Sequence, residues 1–243
     1  MPAAQSSTTA GLHSSSKRSL GARIIVRFFL GLIAALVILF VPAGALNFWQ
    51  GWVFLAILFF PSLVAYAYFW KHDPQLLERR MQNKEQISEQ KLLIRLSGPL
   101  FIIAFLLPGL DHRFGWSRDS LGNLPLWLAI VSEATVLASI LFIAWVMNVN
   151  RYAARTIQVE AGQKVITTGP YRFVRHPLYA GSAALWFFTP PALGSWVAWP
   201  AFVLLLPFYV IRLLNEEKVL RAQLAGYPEY CQRTRYRLIP FVW

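Results

Sequence analysis

Acid is scarce in this chain: 11 Asp and Glu stand against 23 Lys and Arg among 243 residues, and charged residues together make up only 14%. Soluble domains carry nearer one quarter, so a water-soluble globular fold is excluded. There is 1 cysteine, Cys231, which rules out an internal disulfide and a cysteine-rich metal site. The 4 histidines are scattered without ligand-like spacing, so no metal is expected. What the chain has in quantity is apolar side chains, 56% of all residues, with a mean hydropathy of +0.46. That is the composition of an integral membrane protein. A net charge of +12 could suggest nucleic acid. The basic residues instead fall in the gaps between apolar segments, so the expected partner is a lipid bilayer and not nucleic acid.

Residues 1–22, rich in Ser, Thr and Ala, lack apolar periodicity and read as a disordered cytoplasmic tail. The first apolar run is too long for a cleaved signal peptide and should remain as an anchor. Apolar segments cover 24–45, 51–70, 96–110, 124–149, 178–193 and 196–214. A spanning helix needs roughly 20 such residues. The third segment is short, but Leu92, Leu93 and Ile94 extend it while Arg95 reaches to the headgroups. Only Gly194 and Ser195 separate the last two, after Pro190 and Pro191, so they form a helical hairpin that could stop short of a full crossing. With the N-terminus inside, only Arg113 and Arg118 of the 23 Lys and Arg residues fall outside, as the positive-inside rule requires. The expectation is an all-α, polytopic membrane protein of five to six transmembrane helices. Six crossings with both ends cytoplasmic is the preferred layout, and five with a re-entrant hairpin the fallback. Residues 23–149 form the N-terminal transmembrane part, and 150–243 a cytoplasm-facing region with the hairpin and an amphipathic C-terminal helix.

Two polar clusters interrupt the apolar second half. The first, Gly169-Pro170-Tyr171-Arg172-Phe173-Val174-Arg175-His176-Pro177-Leu178-Tyr179-Ala180-Gly181, packs ionisable groups beside apolar segments. Ionisable groups at membrane depth are costly and usually line a ligand site or a wet cavity. Pro177 suits the first turn of a helix, which puts His176 at a helix N-terminus, where free amides and the dipole attract a carboxylate or phosphate. The preceding loop holds β-prone pieces, Ile157-Gln158-Val159-Glu160 and Val165-Ile166. The second cluster is Arg212-x-x-x-Glu216-Glu217, with Arg212 and Glu216 on one helical face. It reads either as an ion pair on a membrane-surface helix or as a site where an acid meets a cationic ligand while Arg212 grips an anionic one. Glu133, inside the fourth apolar segment, is expected to find a structural partner such as Arg113 or Ser139.

Gly-Pro-Tyr-Arg-x-Val-Arg-His-Pro-x-Tyr-x-Gly, followed by Glu-Glu-x-x-Leu, Gly-Tyr-x-x-Tyr and Arg-Tyr-Arg-Leu-Ile-Pro, resembles the isoprenylcysteine carboxyl methyltransferase family over residues 148–243. Residues 111–117 and Asp73-Pro74-x-Leu-Leu-x-Arg-Arg also look like segments of its bacterial members. The resemblance implies S-adenosyl-L-methionine as cofactor and a lipophilic methyl acceptor, with a carboxylate as the methylated group. It implies that Gln158, Gln163, Lys164, Val165 and Ile166 match the cofactor loop. Tyr171, His176, Pro177, Leu178, Tyr179, Glu216 and Glu217 would complete the cofactor pocket, and Arg212 would stand at the acceptor's nucleophile. Gln163 departs from the eukaryotic members, which carry histidine there. The setting implied is a bacterial inner membrane with the catalytic face cytoplasmic, the endoplasmic reticulum being the alternative. A phospholipid N-methyltransferase would share the cofactor site and differ in its acceptor. An NADPH-dependent, sterol-type membrane reductase has similar Arg-His-x-x-Tyr-x-Gly and Tyr-Arg-Leu-Ile-Pro ends.

Overall fold

The computed structural model describes residues 5–81, 88–153, 159–160 and 162–243. Its helices are α1 (Gln5–Ala43), α2 (Trp49–His72), α3 (Pro74–Met81), α4 (Ser88–Phe114), α5 (Trp116–Leu121), α6 (Leu126–Val149), α7 (Pro177–Ala192), α8 (Trp199–Val203), α9 (Leu206–Gln223) and α10 (Tyr227–Arg233). A short 3₁₀ turn, Gly169–Arg172, precedes α7. There is no strand among the described residues, so the protein is an all-α, polytopic membrane protein. The β-prone piece at Val165 and Ile166 forms no ladder, because no neighbouring strand is there to supply backbone partners. Residues 5–19, expected as an unstructured tail, instead continue α1. Once a helix is nucleated, each further residue adds a bond at low cost, so the apolar span below propagates the backbone.

Among the described residues, five helices are long and apolar enough to cross a membrane: Leu20–Ala43, Trp49–His72, Gln90–Phe114, Leu126–Val149 and Trp199–Gln223. On α1, Ile25, Phe29, Leu30, Ile33 and Val41 are more than half exposed, as a lipid-facing surface would be. The fifth apolar segment becomes α7, which has 16 residues and reaches only about 24 Å, short of the roughly 30 Å hydrocarbon core.

Close backbone approach holds the bundle. A Cβ on Gly109 of α4 would strike the Leu39 carbonyl oxygen of α1, and one on Gly181 of α7 would come within 2.9 Å of the Phe142 ring of α6. Small residues at such crossings are how helices pack where lipid offers no hydrophobic driving force. The core between them is Leu39, Phe40, Phe48, Phe54, Val136, Ile140, Leu185 and Leu193.

At the end of the bundle away from the polar clusters, Asp111 of α4 ties three elements together. Its carboxylate accepts the Ser117 amide (2.7 Å) and hydroxyl and the Ser195 hydroxyl, while the Ser117 oxygen accepts the amides of Trp196 (2.8 Å) and Val197 (3.1 Å). The turn after α7 is thereby fixed to the end of α4. Replacing Asp111 by Ala strands three buried donors, each worth about 1–3 kcal/mol. We expect Asp111→Ala to lower the unfolding midpoint in detergent markedly. Asp111→Asn, which keeps acceptor capacity, should lie between Ala and wild type.

Candidate active site

At the other end the two polar clusters converge on one cavity of about 620 Å³, within the range of small-molecule sites. Its floor comes from α6, α7 and α9, and its roof from the loop after α6 and from α10. Of the residues singled out in the sequence, Gln163, Lys164, Val165, Ile166, Tyr171, His176, Leu178, Tyr179, Arg212 and Glu216 line it. Pro177 is buried as the first residue of α7 and does not reach the cavity wall. Gln158 lies outside the described residues.

Glu217 does not line the cavity. It points the other way, 3% exposed, into three guanidinium groups: Arg175 Nη1 at 3.1 Å, Arg221 Nη2 at 3.0 Å and Arg237 Nε at 2.6 Å. Consecutive helical residues diverge by about 100°, so two adjacent acids cannot share one face. Glu217 therefore anchors the site from behind. Backbone pairing completes the anchor, since the Arg175 and His176 amides donate to the carbonyls of Tyr236 (2.9 Å) and Arg237 (3.0 Å).

Glu216 faces the cavity and accepts a hydrogen bond from the Tyr179 hydroxyl at 2.6 Å. Arg212, one turn earlier, reaches Gln90 Oε1 of α4 at 3.3 Å. Glu216 is the single acid among the described lining residues, against Arg80, Lys164, Arg175 and Arg212. The cavity is thus biased positive around one carboxylate. His176 caps α7 and is 4% exposed, with Nε2 3.5 Å from the Tyr227 hydroxyl. Burial, outweighing the attraction of Glu217, holds its imidazole down at about 4. It is neutral near pH 7, so it contributes an N–H or a lone pair and not the positive charge that would by itself draw a carboxylate. The Tyr171 hydroxyl accepts from Asn150 Nδ2 (2.8 Å), and burial pushes it up to about 12, so it stays protonated.

Several wall residues were not singled out in the sequence. Ser182 and Trp186 lie on the same face of α7 as Tyr179, and Tyr209 lies one turn before Arg212 on α9. The helical period from Tyr179 and Arg212 was the signal that leads to them. Tyr227 and Tyr230 are the two tyrosines of Gly-Tyr-x-x-Tyr, and the Tyr230 hydroxyl donates to the Tyr171 carbonyl at 2.7 Å. Arg80, from α3, was read only as the end of Asp73-Pro74-x-Leu-Leu-x-Arg-Arg, with no role given to it, and Asn150 carried no such signal. The partners expected for Glu133 are elsewhere: Arg113 lies over the Phe114 ring, and the Ser139 hydroxyl bonds the Thr135 carbonyl. Both Glu133 oxygens are buried without a hydrogen-bond partner among the described residues.

A family model described as phospholipid methyltransferase matches residues 127–225, from the start of α6 to just past the end of α9. No curated protein matches the chain. The matched stretch contains His176, Tyr179, Arg212 and Glu216, the same residues that carry the resemblance to the isoprenylcysteine carboxyl methyltransferases. Common to both families is methyl transfer within a membrane, and the match indicates a multi-pass membrane methyltransferase.

Two outcomes follow from the anchor and the cap. Glu217→Ala leaves Arg175 buried and without its carboxylate, a loss of about 3–5 kcal/mol for a broken buried pair, to be read as a lowered midpoint in chemical unfolding. His176 binds its proton near pH 4 when folded and near 6.5 when unfolded. Between those values the unfolded state holds more protons, so stability falls as the pH drops, by up to about 1.4 kcal/mol per pH unit. Thermal midpoints recorded from pH 7 down to 4 should show that slope, and His176→Gln should flatten it.

Proposed function

We propose that this protein is an S-adenosyl-L-methionine-dependent methyltransferase that methylates the carboxylate of a lipophilic acceptor, with its site on the cytoplasmic face. The observation that carries this reading is the pairing of Glu216 and Arg212, one turn apart on α9 and both on the wall of one cavity. S-adenosyl-L-methionine bears an ammonium, a carboxylate and a sulfonium, so it needs partners of both signs. Glu216, steadied by Tyr179, offers the ammonium a charged acceptor. The first-turn amides of α7 and the neutral His176 offer donors to the carboxylate. Residues Gln163, Lys164, Val165 and Ile166 would cover the adenosine, and the Gln163 side chain is already used to brace that loop at the Glu160 amide (3.0 Å).

Methyl transfer from a sulfonium is a direct displacement. The acceptor oxygen bonds to the methyl carbon as the carbon–sulfur pair returns to sulfur. A carboxylate acceptor loses no proton, so the site needs alignment and no general base. Holding two reactants in line can supply about 7–11 kcal/mol of the barrier. Arg212, with its planar fork of donors, suits a carboxylate held in that line. The apolar wall of Ile94, Ile143 and Trp186 would take the lipid portion.

A phospholipid N-methyltransferase is the second reading, favoured by the family match over residues 127–225. An amine acceptor must shed a proton, and Glu216, the single acid among the described lining residues, is already bonded to Tyr179. That weighs toward the carboxylate. Binding of labelled S-adenosyl-L-methionine and of NADPH to the detergent-purified protein separates either methyltransferase from a sterol-type reductase. Turnover on a prenylcysteine, a fatty acid and phosphatidylethanolamine then separates the acceptors. Within this reading Glu216→Gln should weaken S-adenosyl-L-methionine binding roughly tenfold or more, the size of one charge-assisted bond. Arg212→Ala should keep that affinity and lower kcat about 100-fold through lost alignment; equal losses in both would move Arg212 into the cofactor shell.

A further inference from the structure

Exposed apolar side chains on the spanning helices are accounted for by lipid, but one exposed apolar group lies outside every span. Residues 236–243, beyond the stretch matched by the family model, fold into a hook that turns Ile239, Phe241 and Val242 outward, 56%, 88% and 75% exposed. Backbone bonds close the hook. The Trp243 carbonyl accepts the amides of Arg237 (2.8 Å), Leu238 (2.9 Å) and Ile239 (3.2 Å), and the Val242 and Trp243 amides return to the Ile239 carbonyl at 3.2 and 3.1 Å. Phe241 sits at φ +66°, in the left-handed region that a bulky side chain enters only at a cost. Its ring lies beside that of Tyr236, with centroids 5.3 Å apart, and otherwise points away from the fold. A strained turn that displays an apolar tip gains little from the chain itself, so its stabilisation has to come from what the tip meets.

The level of the hook follows from its neighbours. The Tyr236 and Arg237 carbonyls accept the Arg175 and His176 amides, and α7 begins at the next residue, Pro177. In the turn before α7, a Cβ on Gly169 would stand 3.1 Å from Cγ2 of Val149, the last residue of the α6 span. The hook is therefore held near the plane where that apolar span ends, which is the depth of lipid headgroups.

Charge at this end has one dominant sign. From residue 161 onward the chain has three acids against nine Lys and Arg. Glu216 is bonded to Tyr179 and Glu217 is buried among arginines, which leaves Glu229 for the outer surface. Arg233 and Arg235, which lead into the hook, are exposed and join no ion pair among the described residues. An apolar tip beside unpaired cations matches a surface that is oily within and anionic outside. A second copy of this chain would instead set the same positive charge against itself.

We propose that the 239–242 tip inserts into the headgroup region of the bilayer at the cavity end, with Arg233 and Arg235 on anionic lipid headgroups. Through the backbone bonds from Tyr236 and Arg237 to Arg175 and His176, this contact braces the cavity wall against the membrane. The test uses the full chain carrying Val242→Cys, labelled with the dye NBD and reconstituted in phosphatidylcholine bilayers containing phosphatidylglycerol. Wild type, whose one cysteine is buried, is the labelling control. Nitroxide-bearing lipid should quench the dye, and aqueous iodide should quench it far less than the same dye on free cysteine. Nitroxide-bearing phosphatidylglycerol should quench more than the phosphatidylcholine form, since each arginine enriches anionic lipid by up to about fivefold. Arg233→Gln with Arg235→Gln should remove that preference while the dye stays shielded from iodide. Phe241→Cys repeats the measurement one residue away should the first site label poorly. Free access of iodide places the hook in water and overturns the proposal. Shielding from both quenchers also overturns it, marking a protein partner or a second copy. Equal quenching by the two lipids, or a preference that survives loss of both arginines, does the same. None of these readouts depends on the reaction performed in the cavity.

Discussion

One buried carboxylate organises the cavity end of this protein. Glu217 of α9 gathers Arg221 from its own helix, Arg175 from the loop before α7 and Arg237 from the C-terminal tail. The backbone bonds from Arg175 and His176 to Tyr236 and Arg237 reinforce that junction. A carboxylate with three guanidinium partners offsets its own desolvation far better than a simple pair, and an arginine fork fixes direction as well as distance. The loop before α7, α9 and the tail are therefore tied together behind the cavity. Arg237 also lies over the Trp243 ring at 5.2 Å, and the Trp243 carbonyl accepts the amides of Arg237, Leu238 and Ile239. The tail is tied into a compact hook behind the site.

The two ends of the bundle use opposite chemistry for the same task. Away from the cavity, Asp111 with Ser117 and Ser195 fixes the turn after α7 through short bonds to neutral donors. At the cavity end the chain employs arginines in number. This division follows the skewed placement of basic residues, and it leaves the cavity with more positive than negative side chains on its wall.

Much of this was legible in the sequence, for physical reasons that can be named. Long apolar runs admit one solution in a bilayer, a helix, so α1, α2, α4 and α6 could be read directly. Pro177 after His176 announced the start of α7, and the four-residue spacing of Arg212 and Glu216 announced a shared face. The pairing of Glu216 and Glu217 misled, because adjacency in sequence suggests a common role while the helix turns the second acid away. Gly194 and Ser195 showed that α7 turns back but not how far it reaches, which depends on Asp111, 84 residues earlier. Arg80 was beyond reach for the same reason, since its position depends on Leu76 and Leu77 packing against Met147 and Ala153 from distant segments. Contacts of that range leave no local periodicity to read.

The placement of Arg212 and Glu216 on α9 has a consequence for how such a site can diversify. Four residues of helix amount to a rise of about 6 Å, so the offset between the two charges is a ruler cut into the backbone itself. Loops may lengthen and wall side chains may be exchanged around it without recalibrating that interval. A lineage built on this frame could reshape the cavity wall one residue at a time, with the spacing of the charged pair inherited intact.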